Sequence, residues 1–362
     1  MMMSGVARRM KILHIITRLI LGGAQKNTIL SCAAQVRAGH EVYLAFGPIY
    51  GPEGSMLNDA RASGATLIEV AQLRRAVQPI RDWRCYRALR DLIRRIEPDV
   101  VHTHSSKAGI VGRHAAWTQR VPAVIHTIHG LPFHDRQPAL LRYAYIRAER
   151  RAAKHCHKLV AITQAMCDAF VANGIGGAGQ FEVVPSGIDI DVVRRGGATR
   201  DAVRQRHGIA GDAKVVGIVA RLDRLKGQED LIAVLPDIIQ RHPDTRLLLV
   251  GDGWYRESLE SQVRELRLEE RVIFAGLVSP DQVGGYYRAM DLMALPSYQE
   301  GQGRTLVEAL VCGCPIVGYD AGGIGAVCIE GETGRLVPCG DRAQLAEAIV
   351  WTLDHPDAAA AM

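Results

Sequence analysis

The amino-acid sequence predicts an α/β protein of two doubly wound, parallel-sheet domains facing a common cleft. Three observations predict it. Its 362 residues suit two domains better than one, at roughly 100–200 residues per domain. Short β-branched runs alternate with longer helical patterns throughout, as βαβ units require. A turn-rich break, Pro185-Ser186-Gly187-Ile188-Asp189 leading into Arg194-Arg195-Gly196-Gly197, separates two rounds of that alternation and reads as a linker. The expected domains are 1–186 and 187–362.

In the first round, strands are expected near 12–17, 41–46, 66–70, 100–103, 123–127, 158–162 and 182–184, each followed by a turn and a helical segment. The segment 7–21 has the basic-then-apolar look of a signal peptide. His14 and Arg18 interrupt it, however, and no small-residue cleavage pattern follows, so it reads as a first buried strand. In the second round, strands are expected near 215–220, 246–250, 272–275, 292–295 and 316–319, with a last helix over 341–353. Ligands of such folds sit outside the carboxyl ends of the strands, where the strand order reverses.

Hydrophobic residues make up 48% and charged residues 23%, a balance that excludes a disordered chain. Nowhere are there about 18 consecutive apolar residues, so nothing in the sequence reads as a membrane span. Eight scattered cysteines without a CxxC pair read as reduced thiols in a cytoplasmic protein. The net charge of +6 is uneven: 25 Lys and Arg against 12 Asp and Glu in residues 1–186 (+13), and 19 against 26 thereafter (−7). An anionic partner for the first half follows from that asymmetry. Two basic helical segments, 81–96 and 141–158, carry much of it. They are either solvated faces with snorkelling arginines or a surface drawn to a phosphate-bearing acceptor or to anionic lipid headgroups, the last of which would make the protein peripheral on the inner face of a membrane. Aromatic content of 5% leaves these segments without the interleaved stacking residues of a nucleic-acid surface.

Several motifs are decoys. Gly174-Ile175-Gly176-Gly177-Ala178-Gly179 spells GxGxxG, yet it follows a helix and precedes a strand, the reverse of dinucleotide-binding order. Asp189-Ile190-Asp191 spells DxD inside the linker, where a turn or helix cap accounts for it. His102-Thr103-His104 and His155-Cys156-His157 lack carboxylate or cysteine companions at ligand spacing, so no metal site is expected.

The chemistry concentrates elsewhere. Gly22 and Gly23 open a helix after the first strand, where backbone N–H groups and the helix dipole favour an anion. A tight turn explains them equally well. In the second half, Arg221 and Lys226 leave one strand's carboxyl end together, two fixed cations for a diphosphate whose charge grows as it departs. Gly251 sits in a glycine turn after the next strand. Then comes Glu300-Gly301-Gln302-Gly303-Arg304-Thr305-Leu306-Val307-Glu308: two carboxylates bracketing a glycine loop and the first turn of a helix. The N–H groups of Arg304, Thr305 and Leu306 are suited to phosphate oxygens, and the carboxylates to sugar hydroxyls.

The pair Glu300 and Glu308 resembles the EX7E motif of retaining family 4 glycosyltransferases with the GT-B fold, two Rossmann-like domains across a cleft. The likeness extends through residues 310–317, 321–323 and 332–338, and includes 217–227, 250–253, 185–189, Gly22-Gly23-Ala24 and His129-Gly130. By that resemblance Glu300 holds hydroxyls of the donor sugar and Glu308 the ribose. Arg221 and Lys226 hold the diphosphate, Gly22 and Gly23 close over the donor, and His129 lies near the transferred sugar. The resemblance implies a donor that is a nucleoside-diphosphate sugar, UDP before other bases, and a glycan or lipid-linked acceptor. It implies no cofactor and no metal. Three departures stand out. Ser186 replaces the usual Asn, Gln302 and Arg304 replace apolar residues around the glycine loop, and the chain ends at Met362, short of the final crossover helix. A nucleotide-sugar epimerase and a non-catalytic sugar-nucleotide-binding subunit are the alternatives on this fold.

Overall fold

A computed structural model describes residues 8–134 and 136–362. The chain divides into two compact units. The first takes the chain up to Tyr50 together with Gly54–Gly187, and the second takes Gly51–Glu53 together with Ile188–Met362.

The first unit carries seven strands: β1 (Lys11–Ile16), β2 (Glu41–Phe46), β3 (Thr66–Glu69), β4 (Val100–His104), β5 (Ala123–Ile128), β6 (Lys158–Ala161) and β7 (Phe181–Val183). They form one parallel sheet in the order β3-β2-β1-β4-β5-β6-β7. The strand order reverses between β1 and β4, which places the switch point after Ile16 and His104. Leu13, Ile15, Val101 and Val124 are fully buried against the helices Pro79–Ile96 and Ser106–Thr118. The opposite face of β1 and β4 carries His14, His102 and His104, because His14 pairs in register with His102 and side chains two apart share a face.

The second unit carries six: β8 (Val215–Val219), β9 (Arg246–Val250), β10 (Val272–Gly276), β11 (Leu292–Leu295), β12 (Ile316–Asp320) and β13 (Arg335–Pro338). Again all are parallel, in the order β10-β9-β8-β11-β12-β13. Here the switch point falls between β8 and β11. Apart from β13, these strands read as largely apolar runs because helices cover both faces of the sheet.

Twelve strands lie within one or two residues of their expected positions. β13 was not expected: a four-residue segment of mixed polarity becomes a strand only by pairing with β12, Val317 opposite Arg335. The helix expected over 141–158 spans Ala139–Ala153, since Lys158 already begins β6. Arg194 and Arg195, read as linker, close a short helix, Ile190–Arg195. Its N-cap is Asp189, whose carboxylate accepts the Val192 N–H at 3.2 Å, so half of the DxD decoy is a cap.

Among the described residues no helix is long and apolar enough to cross a membrane. All eight cysteines are free thiols, six of them buried.

Candidate active site

Most candidate residues lie at the switch point of their own unit, whereas His129 follows β5 and Gly251 follows β9. In the second unit, β8 runs out into the loop 220–227 and β11 into the loop that ends at Gly303. The first loop is braced on both sides: Leu222 N–H donates to the Asp252 carbonyl at 3.2 Å, and Tyr298 N–H donates to the Leu225 carbonyl at 2.9 Å. Asp223 Oδ1 accepts the Leu225 N–H, a local turn that lifts Lys226 toward the neighbouring loop. The turn closes at Gly227, with φ 75°, where an added Cβ would lie 2.0 Å from the Pro296 carbonyl oxygen. Only glycine fits there.

Lys226 Nζ lies 2.5 Å from Glu300 Oε2, and both side chains are largely sheltered, at 20% and 17% exposure. The other carboxylate oxygen of Glu300 accepts its neighbour Gly301's N–H at 3.1 Å. Glu300's carbonyl accepts the Gly323 N–H at 3.2 Å, which ties the loop after β11 to the one after β12. Gly303, at φ 69°, then starts the helix Arg304–Val311. Glu308 lies one turn in, held on one oxygen by the Tyr287 hydroxyl at 2.9 Å and facing Arg304 at 3.8 Å on the other. Tyr287 is fully buried, and burial together with the Glu308 charge holds its hydroxyl well above the ordinary phenol range, so it stays a donor. Burial lowers the Arg304 guanidinium from its usual value, with Glu308 opposing the shift. Arg221 turns to its own loop, Nη2 to Asp223 Oδ2 at 3.0 Å.

Two expected donor contacts need correction. The Leu306 N–H is already given to the Gly303 carbonyl at 2.8 Å, and its side chain is buried in the core, so Leu306 is structural. The Gly251 N–H donates to the Gly276 carbonyl at 2.9 Å, and an added Cβ would lie 2.1 Å from the Ala220 carbonyl oxygen. Its glycine serves close packing of the two loops. The Arg304 side chain is turned along the helix toward Glu308. Thr305 occupies the helix's first turn.

In the first unit, Gly22 and Gly23 stand at the start of the helix Gly23–Arg37, with Gly22 extended at φ 175°. The switch point beside them is stitched by Thr17 Oγ1 and Ser105 Oγ at 2.7 Å. His129 follows β5, and its Nε2 lies 3.0 Å from His104 Nδ1. His104 Nε2 in turn lies 2.9 Å from His14 Nδ1, and His14 Nε2 lies 2.7 Å from Gln35 Oε1. Burial lowers His14 to about 4 and pushes His104, His102 and His126 well below the usual imidazole value. Ligand atoms of His14, His102 and His104 come within 4.8 Å of one another, a spacing a metal ion would tolerate. Both nitrogens of His14 and of His104 have partners, in each other, Gln35 and His129, and His102 Nε2 lies 2.7 Å from the Thr127 hydroxyl.

Tyr287 and Gln35 escaped the sequence reading, which met His14 only as a break in an apolar run and His104 only as part of a structural His-x-His. A His on β1 and a His-x-His on β4 become neighbours only through strand pairing, and nothing about Tyr287 or Gln35 separates them from other core-facing or helical residues.

Two family models match the chain: Glycosyltransferase Family 4 over residues 21–192 and Glycosyl transferases group 1 over residues 199–362. Between them they leave out only residues 1–20 and 193–198. The chain is 31% identical over 278 residues to D-inositol 3-phosphate glycosyltransferase of Mycolicibacterium smegmatis, covering 72% of this chain and 61% of that protein. It is 33% identical over 198 residues to the GDP-mannose-dependent alpha-(1-6)-phosphatidylinositol monomannoside mannosyltransferase of the same organism, covering 53% and 52%. The matched stretch thus spans between half and two thirds of those relatives' own length. Among solved structures, Anabaena HepE in complex with UDP-glucose superposes with a TM-score of 0.81 and 26% identity over 98% of this chain and 92% of that one. WaaG, involved in lipopolysaccharide biosynthesis, shares the fold with a TM-score of 0.76 and 20% identity over 97% and 92%. The chain belongs to the family 4 glycosyltransferases and has their GT-B fold.

Proposed function

We propose that this chain transfers a hexose or N-acetylhexosamine, with retention of configuration and without a metal, from a nucleoside-diphosphate sugar to a glycan or lipid-linked acceptor. UDP is the first candidate nucleotide, since HepE is solved with UDP-glucose. The observation that carries the proposal is the contact of Lys226 with Glu300 at the second unit's switch point, one glycine turn before Glu308. In the proposed reaction Lys226 and Arg221 neutralise the diphosphate as the bond from the sugar's anomeric carbon to it breaks. Gly301, Gly303 and the helix N-terminus at Arg304 and Thr305 supply further positive potential. Glu300 and Glu308 accept hydrogen bonds from sugar and ribose hydroxyls. The acceptor hydroxyl forms the new bond on the face the diphosphate leaves, and its proton passes to the departing phosphate oxygen. His129 faces the transferred sugar.

The lipid-linked choice of acceptor is supported by two exposed mixed surfaces on the basic first unit. Ile80 and Trp83 stand out at 72% and 56% exposure, with Arg87 stacked on the Trp83 ring at 4.9 Å. Leu140 and Tyr143 do likewise at 81% and 56%, flanking Arg142. Exposed apolar side chains among arginines suit an anionic membrane surface.

A panel of sugar nucleotides, scored by thermal shift and then by product formation with magnesium or with EDTA, tests the proposal. The expected result is one tight nucleotide sugar, equal turnover in EDTA, and a product of unchanged anomeric configuration by NMR. Inversion or strict metal dependence would refute it, and conversion of the donor without any acceptor would point to an epimerase.

A further inference from the structure

We infer that Asp230, in the first turn of the helix Gln228–Arg241, is a positioning residue for the reaction: through the Tyr298 hydroxyl it keeps the loop of Lys226 in register with Glu300. The inference rests on the catalytic work proposed above for Lys226 and Glu300, and names what holds that pair in place.

The helix follows Lys226 after a single residue, Gly227. Its core-facing stripe is apolar, with Leu231, Leu235 and Ile238, yet its first turn also buries two polar side chains, Gln228 and Asp230, each 1% exposed. A buried carboxylate or amide is costly unless it is hydrogen-bonded, so the partners account for both residues. Asp230 Oδ2 accepts the Tyr298 hydroxyl at 2.5 Å and the Tyr319 hydroxyl at 2.9 Å, and Oδ1 accepts Arg342 Nε–H at 2.7 Å. Gln228 Nε2 donates to the Arg221 carbonyl at 2.9 Å, across the neck of the loop 221–227.

Tyr298 carries these contacts to the site. Its hydroxyl is on Asp230, its N–H is on the Leu225 carbonyl at 2.9 Å, and it stands two residues before Glu300. Asp230 in turn gives its own N–H to the Gly227 carbonyl at 3.1 Å. A closed circuit therefore runs from Leu225 through Tyr298 and Asp230 to Gly227, with Lys226 between its two ends. Tyr319 reaches the same carboxylate oxygen from β12, a strand outside that circuit. The two tyrosines make like bonds, and only one of them ties down the loop before Glu300. Lys226 acts on charge that grows as diphosphate leaves, so a displaced ammonium weakens the transition state more than the bound sugar nucleotide.

Asp230→Asn would set an amide donor against the donors that surround it, so the test alters the partners instead. Tyr298→Phe and Tyr319→Phe each remove one hydroxyl from Asp230 Oδ2 and keep the ring, and melting curves should show similar losses for the two. Both are assayed in the full chain with the sugar nucleotide that the unaltered chain turns over fastest, UDP-glucose being the first tried. Tyr298→Phe should lower kcat about threefold to tenfold, the order of one hydrogen bond, with KM for the sugar nucleotide little changed. Tyr319→Phe should leave kcat nearly intact. Hydrogen exchange read by mass spectrometry supplies a measure independent of turnover: residues 298–303 should exchange faster in Tyr298→Phe and at the unaltered rate in Tyr319→Phe. Equal kcat losses in the two variants would show a carboxylate that serves the fold alone, and unchanged kcat in Tyr298→Phe would likewise overturn the inference. Undiminished turnover in Lys226→Ala, together with faster exchange in Tyr298→Phe, would instead remove the catalytic role of Lys226 and leave the hold of Asp230 on the loop standing.

Discussion

Lys226 and Glu300, separated by 74 positions in sequence, meet at 2.5 Å where β8 and β11 end side by side. In the proposed reaction this pair divides its work, the ammonium on diphosphate and the carboxylate on sugar. Lys226→Ala should lower kcat by about a hundredfold or more, in line with the roughly 2.7–4 kcal/mol lost with one preorganised donor. Near-normal turnover would contradict the assignment.

The same contact predicts non-additivity. Glu300→Gln and Lys226→Met, made singly and together, should show a coupling of about 0.5–3 kcal/mol in donor affinity, as groups in direct contact do. Calorimetric titration with the donor nucleotide measures it. Strict additivity would mean that the two act on separate parts of the ligand.

Tyr287 is fully buried and its hydroxyl holds one oxygen of Glu308. Tyr287→Phe keeps the ring volume and removes the donor. It should weaken nucleotide binding by about threefold to tenfold, the order of one hydrogen bond, while leaving kcat at saturating donor nearly intact. A large fall in kcat with unchanged affinity would place Glu308 on the reacting sugar instead of the ribose.

Gly227 and Gly208 both have positive φ, at 75° and 63°, but only Gly227 is crowded, by the Pro296 carbonyl. Gly208→Ala should cost about 1 kcal/mol, a few degrees in Tm. Gly227→Ala should cost clearly more and also reduce turnover, because the backbone that carries Lys226 has to move. Equal Tm losses would show that crowding at Gly227 is relieved without displacing the loop.

The first unit should be acid-sensitive above the carboxylate range. His14 is depressed in the folded state to about 4 from 6.5, with His102, His104 and His126 shifted the same way. A depressed imidazole binds protons more readily once unfolded, so its stabilisation is complete above pH 6.5 and is lost as pH falls toward 4. For His14 alone the span is about 3 kcal/mol. Urea midpoints followed through Trp83 and Trp117 fluorescence should fall steadily between pH 6.5 and 5. A flat profile across that window would show that these imidazoles accept protons without unfolding.

Much of the fold was legible before any coordinate. Short β-branched runs alternating with helical patterns located twelve strands, because helix-covered parallel strands are mostly apolar. β13 was missed because Arg335-Leu336-Val337-Pro338 has no such signature and owes its conformation to β12. Of the candidate site, glycine spacing and charge at strand ends pointed to Glu300, Glu308, Lys226 and Arg221, and the structure brings Lys226 and Glu300 together. Leu306 and Gly251 were misassigned because a sequence does not reveal which backbone N–H groups the fold has already used.

By itself the sequence determined the two-unit α/β architecture, the candidate residues at the strand ends, and membership of a glycosyltransferase family. Tertiary structure alone decided that Lys226 is partnered by Glu300, that Tyr287 holds Glu308, and that Gln35 is linked to His129 through two buried imidazoles. Local patterning follows from each residue's own preferences and is written along the chain. Contacts between β1 and β4, or β8 and β11, depend on the order in which parallel strands assemble, and partners brought together that way carry no mark of one another in their neighbouring residues.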